Sequence, residues 1–242
     1  MRRSLCLFLG IGLWLAAIGA DAATSLTDEF DGNDLASKWS WSNEPNQWDV
    51  GSTKKGWLTI HADPNRNLWA ADDTSRLYQE IGEEPFDVET HLATEFDAPS
   101  CVAGLVVVSP ADNNWVTLKF WGRGGPAQLQ FQTKQNENGN GLTGNVGWAG
   151  AGGVADLYMR LTKEEDVYTA YYKEAENADW IQVGPTTFNL TPPLQVSLYA
   201  GVDGPAGKML VQYEYFRDNL NPLAVDARGK LPLRWAALKA VR

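Results

Sequence analysis

Short runs of alternating apolar and polar residues dominate the chain, and turn residues separate them. A period of two places successive side chains on opposite faces of a β-strand. The runs cover residues 57–61, 87–97, 101–108, 115–121, 127–133, 157–163, 167–173, 180–183, 195–201 and 208–216. No long helical periodicity interrupts them, so the pattern predicts an all-β protein built as a sandwich of two antiparallel sheets.

The same alternation assigns a face to each side chain. Residues 116, 118 and 120 of one run, 129 and 131 of the next, and 157, 159 and 161 of a third are all apolar and are predicted to face the core. The side chains between them would face away from it. If these strands share a sheet, its outer face carries a set rich in rings, amides and cations: Trp115, Lys119, Trp121, Gln128, Gln130 and Arg160.

This set suits a carbohydrate ligand. Aromatic rings cover the apolar C–H faces of a sugar, while amides and cations hydrogen-bond its hydroxyls. The alternative is an ordinary solvated face whose Trp side chains are half covered by loops. Two outward Trp on one strand favour a binding face, because exposed aromatic patches are uncommon.

Both ends of the chain differ from this pattern. Arg2 and Arg3 precede an apolar run at 5–18, and residues 20–22 (Ala-Asp-Ala) fit a cleavage site, so 1–22 is predicted to be a signal peptide. The alternative is an uncleaved membrane anchor. Residues 23–220 would then form one exported β-sandwich domain, placed outside the cell, in the periplasm or at the cell surface. The basic tail at 221–242 is predicted to contain a short helix that docks on the sandwich or binds a partner.

Charge and cysteine content exclude some functions. The net charge of −10 makes nucleic acid an unlikely partner, because phosphate backbones would be repelled. Cys101 is the one cysteine outside the predicted signal peptide, so no intrachain disulfide is expected. Residues 134–153, rich in Asn and Gly, predict a long surface loop in which Trp148 is either free or folded back onto the sandwich.

No catalytic constellation emerges from the residues. Glycosidases need two carboxyl groups at a defined separation. Glu95 and Asp97 alternate on one face and are the best available pair, but no third acid continues the row. His61 and His91 lack Cys or carboxylate neighbours at metal-ligand spacing. A structural Ca²⁺ between the chain ends is an open alternative to plain surface acids, with Glu29 and Glu214 as oxygen ligands.

Three groups of residues resemble a known family. They are the opening at 28–32 (Asp-Glu-Phe-Asp-Gly) with Leu35 and Trp39, the segment from 157 to 180, and the closing strands at 196–201 and 213–216. Together they are similar to the concanavalin A-like jelly-roll domain at the C-terminus of glycoside hydrolase family 43 β-xylosidases. The resemblance implies two packed antiparallel sheets, a ligand face on the concave side and a calcium ion joining the first and last strands.

The expected function is therefore a secreted, non-catalytic carbohydrate-binding module. A glycoside hydrolase acting on a polysaccharide is the first alternative, with Glu95 and Asp97 as its catalytic pair. A structural or adhesion domain at the cell surface is the second, and the basic tail would be its anchor. The sugar and the oligomeric state stay open.

Overall fold

The computed structural model describes residues 25–68, 73–135, 139–148 and 153–223. The predicted signal peptide and the predicted helical part of the basic tail lie outside these residues. The described residues form strands and no helix that could cross a membrane. The strands are β1 (Ser40–Ser42), β2 (Gln47–Val50), β3 (Leu58–His61), β4 (Ser75–Ile81), β5 (Phe86–Phe96), β6 (Ser100–Ser109), β7 (Asn114–Arg123), β8 (Gln128–Gln135), β9 (Gly139–Gly147), β10 (Val154–Glu164), β11 (Val167–Lys173), β12 (Ile181–Thr187), β13 (Leu194–Val202) and β14 (Met209–Asp218).

These strands form two antiparallel sheets of seven, which confirms the predicted fold class. The first sheet has the order β1-β4-β13-β6-β7-β8-β9, and the second has the order β12-β11-β10-β5-β14-β3-β2. Strands from distant parts of the sequence are neighbours in both sheets, as the jelly-roll resemblance implies. The start of the described chain joins the second sheet through an isolated bridge between Asp28 and Phe216.

The core lies between the sheets, and it contains the side chains that alternation assigns to it. Leu118, Phe120 and Phe131 from the first sheet and Leu157 and Met159 from the second are all fully buried. Each belongs to one continuous apolar cluster that spans both sheets. Period-two alternation therefore predicts the inner faces correctly.

The segment at 134–153 corrects one expectation, because it is not simply a loop. It contains β9, which pairs with β8 along most of its length. Glycine and asparagine fill this strand, so it lacks the apolar alternation by which the other strands are recognised. Trp148 folds back onto the sandwich, where its ring packs edge-on against Phe120 and Tyr172.

The two sheets meet along one side of the sandwich, where the edge strands β9 and β12 lie against each other. A Cβ atom on Gly144 would lie 2.2 Å from the carbonyl oxygen of Val183, and one on Gly184 would lie 3.2 Å from that of Thr143. Glycine is therefore required where the two backbones approach. Pro185 follows in β12 and removes one backbone donor from that edge.

Candidate binding face

Five of the six predicted ligand residues lie on β7 and β8, which are neighbours in the first sheet. Lys119 is paired with Gln130, and Trp121 is paired with Gln128. Paired residues in antiparallel strands share a face of the sheet. The outer face of the first sheet therefore gathers these four side chains, and Trp115 lies on the same face of β7.

Arg160 does not join them, because β10 belongs to the second sheet. Its guanidinium donates to both carboxylate oxygens of Asp87, at 2.7 Å from Nε and 2.5 Å from Nη2. It also lies over the rings of Tyr171 and Trp180, at 5.5 and 5.9 Å from their centroids. Alternation assigns a face within each strand but does not tell which sheet the strand enters, and this is why Arg160 was grouped with the others.

Trp115 faces outward but is only 1% exposed. It belongs to a small apolar cluster with Val106, Tyr199 and Leu68. Leu68 comes from the segment after β3, whereas the other members project from the outer face of the first sheet. Trp115 is buried within this cluster, and its ring is therefore out of reach of a ligand.

A pocket of about 450 Å³ opens beside this covered region. Its polar lining combines three of the predicted residues (Lys119, Trp121 and Gln130) with four others: Asn67, Ser100, Gln132 and Asp203. Pockets that bind small molecules span about 300–1000 Å³ and carry a few convergent polar groups. The outer face of the first sheet thus provides one concave site of suitable size.

Trp121 is the aromatic wall of this pocket, and its ring is held in place by three contacts. The indole Nε1 donates to Ser100 Oγ at 3.0 Å. The guanidinium of Arg123 lies 4.7 Å from the ring centroid, and the ammonium of Lys119 lies 5.6 Å from it. A fixed, half-buried ring loses little conformational entropy when a ligand stacks on it.

The amide and ammonium groups of the pocket lie deep in it. Lys119 is 7% exposed, and burial lowers the pKa of its ammonium to about 8. The side-chain amide of Gln130 donates to Gln128 Oε1 at 3.1 Å. The Oε1 atom of Gln132 is buried without a hydrogen-bond partner. An orphaned buried acceptor costs about 1–3 kcal/mol.

Sequence reasoning missed the part of the pocket that comes from loops. Asn67 follows β3 and Asp203 follows β13, and the Asn67 amide donates to Asp203 Oδ1 at 2.9 Å across the rim. Neither residue lies in a strand, so alternation carries no signal for them. Their meeting depends on two loops that are 136 residues apart in sequence.

Glu95 and Asp97, the predicted catalytic pair of the hydrolase alternative, lie elsewhere. Both are exposed and line a separate groove of about 640 Å³ at one end of the second sheet, together with His61. Asp97 Oδ1 accepts a hydrogen bond from the backbone N–H of Lys208 at 2.6 Å. The groove brings the two acids into one open space, as alternation predicts.

The two residues predicted to hold Ca²⁺ are each engaged by a cationic or imidazole partner. Glu29 forms a two-pronged ion pair with Arg217, with both N···O distances at 2.8 Å. Glu214 contacts His91 Nδ1 at 2.6 Å. No cluster of three or more metal-ligating side chains occurs among the described residues. These partners compete with a metal ion for both carboxylates, so the pair does not fit a calcium site as it stands, and calcium binding remains a prediction.

Solved structures with the same architecture include proteins of different kinds. The GH43 BlXynB protein from Bacillus licheniformis aligns with a TM-score of 0.64 and 16% identity, over 79% of this chain and 38% of its own. A functionally unknown protein from Saccharomyces cerevisiae aligns with a TM-score of 0.59 and 18% identity, over 78% of this chain and 98% of its own. A β-1,3-1,4-glucanase (lichenase) derived from a mouse hindgut metagenome aligns with a TM-score of 0.55 and 13% identity, over 83% of this chain and 100% of its own.

At these identities the likeness establishes the fold alone. The chain spans about two fifths of the Bacillus licheniformis protein. No curated protein matches the sequence. The family model of the β-xylosidase C-terminal concanavalin A-like domain, however, matches residues 27–197, well over half of the chain. The sheet order, the jelly-roll core and this match agree, and the chain belongs to the family of β-xylosidase C-terminal concanavalin A-like domains.

Proposed function

We propose that this protein is an exported, non-catalytic module that binds carbohydrate in the pocket on the outer face of its first sheet. The observation that carries the proposal is the pocket itself, in which the fixed ring of Trp121 stands beside the side chains of Lys119, Gln130 and Gln132. A sugar needs an apolar surface for its ring and polar groups for its hydroxyls, and this site supplies both.

The family is consistent with this proposal, because its model is named for a domain of β-xylosidases. The described residues offer no comparable stacking wall in the groove that holds Glu95 and Asp97, whose lining contains Phe96 as its one aromatic carbon ring. The pocket on the first sheet is therefore the better candidate for sugar recognition.

A glycan array tests the proposal with three proteins: residues 23–242, the same chain with Trp121→Ala, and the same chain with Trp180→Ala. Trp180 is a matched control because it is also half-buried but lies beside the second sheet, next to Arg160 and Lys173. We expect binding that Trp121→Ala weakens at least about tenfold and that Trp180→Ala leaves unchanged. Absence of binding to every glycan, or equal loss in both variants, would contradict the proposal.

Hydrolysis of a polysaccharide is the second candidate, and the groove around Glu95 and Asp97 favours it. Both carboxylates face one open space of about 640 Å³, which has room for a sugar chain. Reducing-sugar release from xylan and from mixed-linkage glucan measures this activity. Release that Glu95→Gln and Asp97→Asn each abolish would establish hydrolysis, whereas release that survives both changes would place the activity outside this groove.

A further inference from the structure

The outer face of the first sheet has an open part, which is the pocket, and a part that is covered around Leu68. This arrangement limits how a sugar chain can lie on the face. A chain running across the strands from the β9 edge would pass over β8 and β7 and then reach β6. At that point it meets Leu68, which is 2% exposed and packs in one cluster with Val102, Val106 and Tyr199. The path across the sheet is therefore closed beyond the pocket.

The region behind Leu68 is closed by its own contacts as well. The guanidinium of Arg76 on β4 donates to Ser42 Oγ at 3.2 Å and to Gln195 Oε1 at 3.4 Å. Its side chain is 4% exposed. The hydroxyl of Tyr199 is hydrogen-bonded to Thr117 Oγ1 at 3.0 Å, and both residues are fully buried. These contacts bury Arg76, Tyr199 and Thr117 on this part of the face.

The path along the strands is closed too. Moving along β7 from Trp121 leads past Lys119 and Thr117 to Trp115, whose ring is 1% exposed and belongs to the same apolar cluster as Leu68. Trp121 is thus the one aromatic ring among the described residues that lines the pocket. One ring stacks on one sugar unit, so this pocket offers a single stacking position.

We infer that the pocket holds the terminal sugar of a glycan, with the end unit stacked on Trp121 and its free end directed at Leu68. The rest of the chain leaves toward β9, where Leu142 is 51% exposed. Asn67 and Asp203 at the rim then hydrogen-bond hydroxyls of the terminal unit. The inference rests on the proposed function and names which part of the glycan this pocket recognises.

Calorimetry with oligosaccharides of increasing length tests the inference. The probes are xylo-oligosaccharides and mixed-linkage gluco-oligosaccharides of one to six units, each also blocked by a methyl group at the non-reducing end or at the reducing end. For the series that binds, we expect affinity to rise from one to two units and then to stay constant. We also expect one of the two blocking groups, and not the other, to weaken binding at least about tenfold.

Two leucine variants sharpen the result. Leu68→Ala removes the wall, so the blocked and free ends should bind with affinities that differ by less than about threefold. Leu223→Ala, at an exposed leucine outside the pocket, should keep the full discrimination, and melting temperatures show whether each variant is folded. Affinity that rises steadily to six units with neither end group mattering would overturn the terminal-sugar inference but leave carbohydrate binding standing. Absence of binding to both series and to the array would overturn carbohydrate binding itself.

Discussion

The middle strands of the two sheets carry very different outer faces. On β6, the middle strand of the first sheet, the outward positions hold Val102, Gly104, Val106 and Val108. They are small and apolar, and they leave room for Leu68 and for the pocket. On β5, the middle strand of the second sheet, the outward positions hold three acids and His91, which are larger and polar, together with Ala93.

On the outer face of the second sheet, polar side chains of neighbouring strands bind each other. His91 contacts Glu214 on β14 at 2.6 Å and Asp156 on β10 at 2.7 Å, so one imidazole links three strands. The ring of Tyr158 stacks on it with the centroids 4.1 Å apart. Side chains that bind each other across a sheet are less available to a ligand. In this protein, outward aromatic and charged residues form a pocket beside β6, whose outward side chains are small. On β5 the outward side chains are larger, and they contact each other instead.

Gly104 on β6 gives the largest expected effect, and it acts on the side of this strand that faces the core, where a Cβ atom would lie 3.0 Å from Cε of Met159. A Cβ atom at position 104 would lie 2.3 Å from the carbonyl oxygen of Leu118, and its φ of 146° is disfavoured for other residues. The Tyr213 hydroxyl also accepts a hydrogen bond from the Gly104 N–H at 2.9 Å. We expect Gly104→Ala to lower the free energy of unfolding by about 3 kcal/mol or more, measured by chemical denaturation.

Gly147→Ala on β9 is the matched control, because a Cβ atom there would meet nothing within 4 Å. Its unfolding free energy should stay within about 0.5 kcal/mol of that of the unmodified protein. Equal stability of the two variants would show that a Cβ atom at position 104 fits without the close contact to the carbonyl oxygen of Leu118.

Lys119 makes the stability of the pocket region depend on pH. Burial lowers the pKa of the folded protein's ammonium from 10.5 to about 8. The unfolded chain therefore binds more protons between pH 8 and 10.5, and in that range this residue's contribution to stability increases as the pH rises. The penalty for burying the charge is complete below pH 8 and disappears as the pH approaches 10.5.

Lys119→Met removes the titrating group while keeping an unbranched side chain. The difference in unfolding free energy between Lys119→Met and the unmodified protein should shrink by an amount on the order of 1–3 kcal/mol over that pH range. Denaturation curves at matched pH values measure it. A difference that does not change with pH would mean that the ammonium is as well hydrated in the folded protein as in the unfolded chain.

The ion pair between Arg160 and Asp87 should give the smallest effect. Its side chains are 29% and 13% exposed, so solvent screens part of the attraction. We expect Asp87→Asn to lower the unfolding free energy by about 1 kcal/mol, less in high salt, and to leave glycan binding unchanged. Loss of binding in this variant would place the second sheet in the ligand site and cancel the contrast between the two faces.

The sequence predicted the fold class and the inner faces of the strands, because burial on one side leaves a period of two. It also grouped Lys119, Trp121 and Gln130, since neighbouring strands joined by a short turn are almost always adjacent in the sheet. It could not place Arg160, because sheet membership depends on long-range pairing. Nor could it find Asn67, Asp203 or the cover that Leu68 forms, since loops carry no periodic signal and meet only in the folded chain.

The close approach of β9 and β12 has a consequence for self-association of the protein. Unpaired strand edges recruit strands from other molecules, and this recruitment is a common route to aggregation. Here Gly144 and Gly184 allow the two edge strands to pack against each other. Pro185 has no backbone N–H with which an added strand could form a hydrogen bond. Along this side, the sandwich therefore offers no free strand edge on which a second molecule could add a strand.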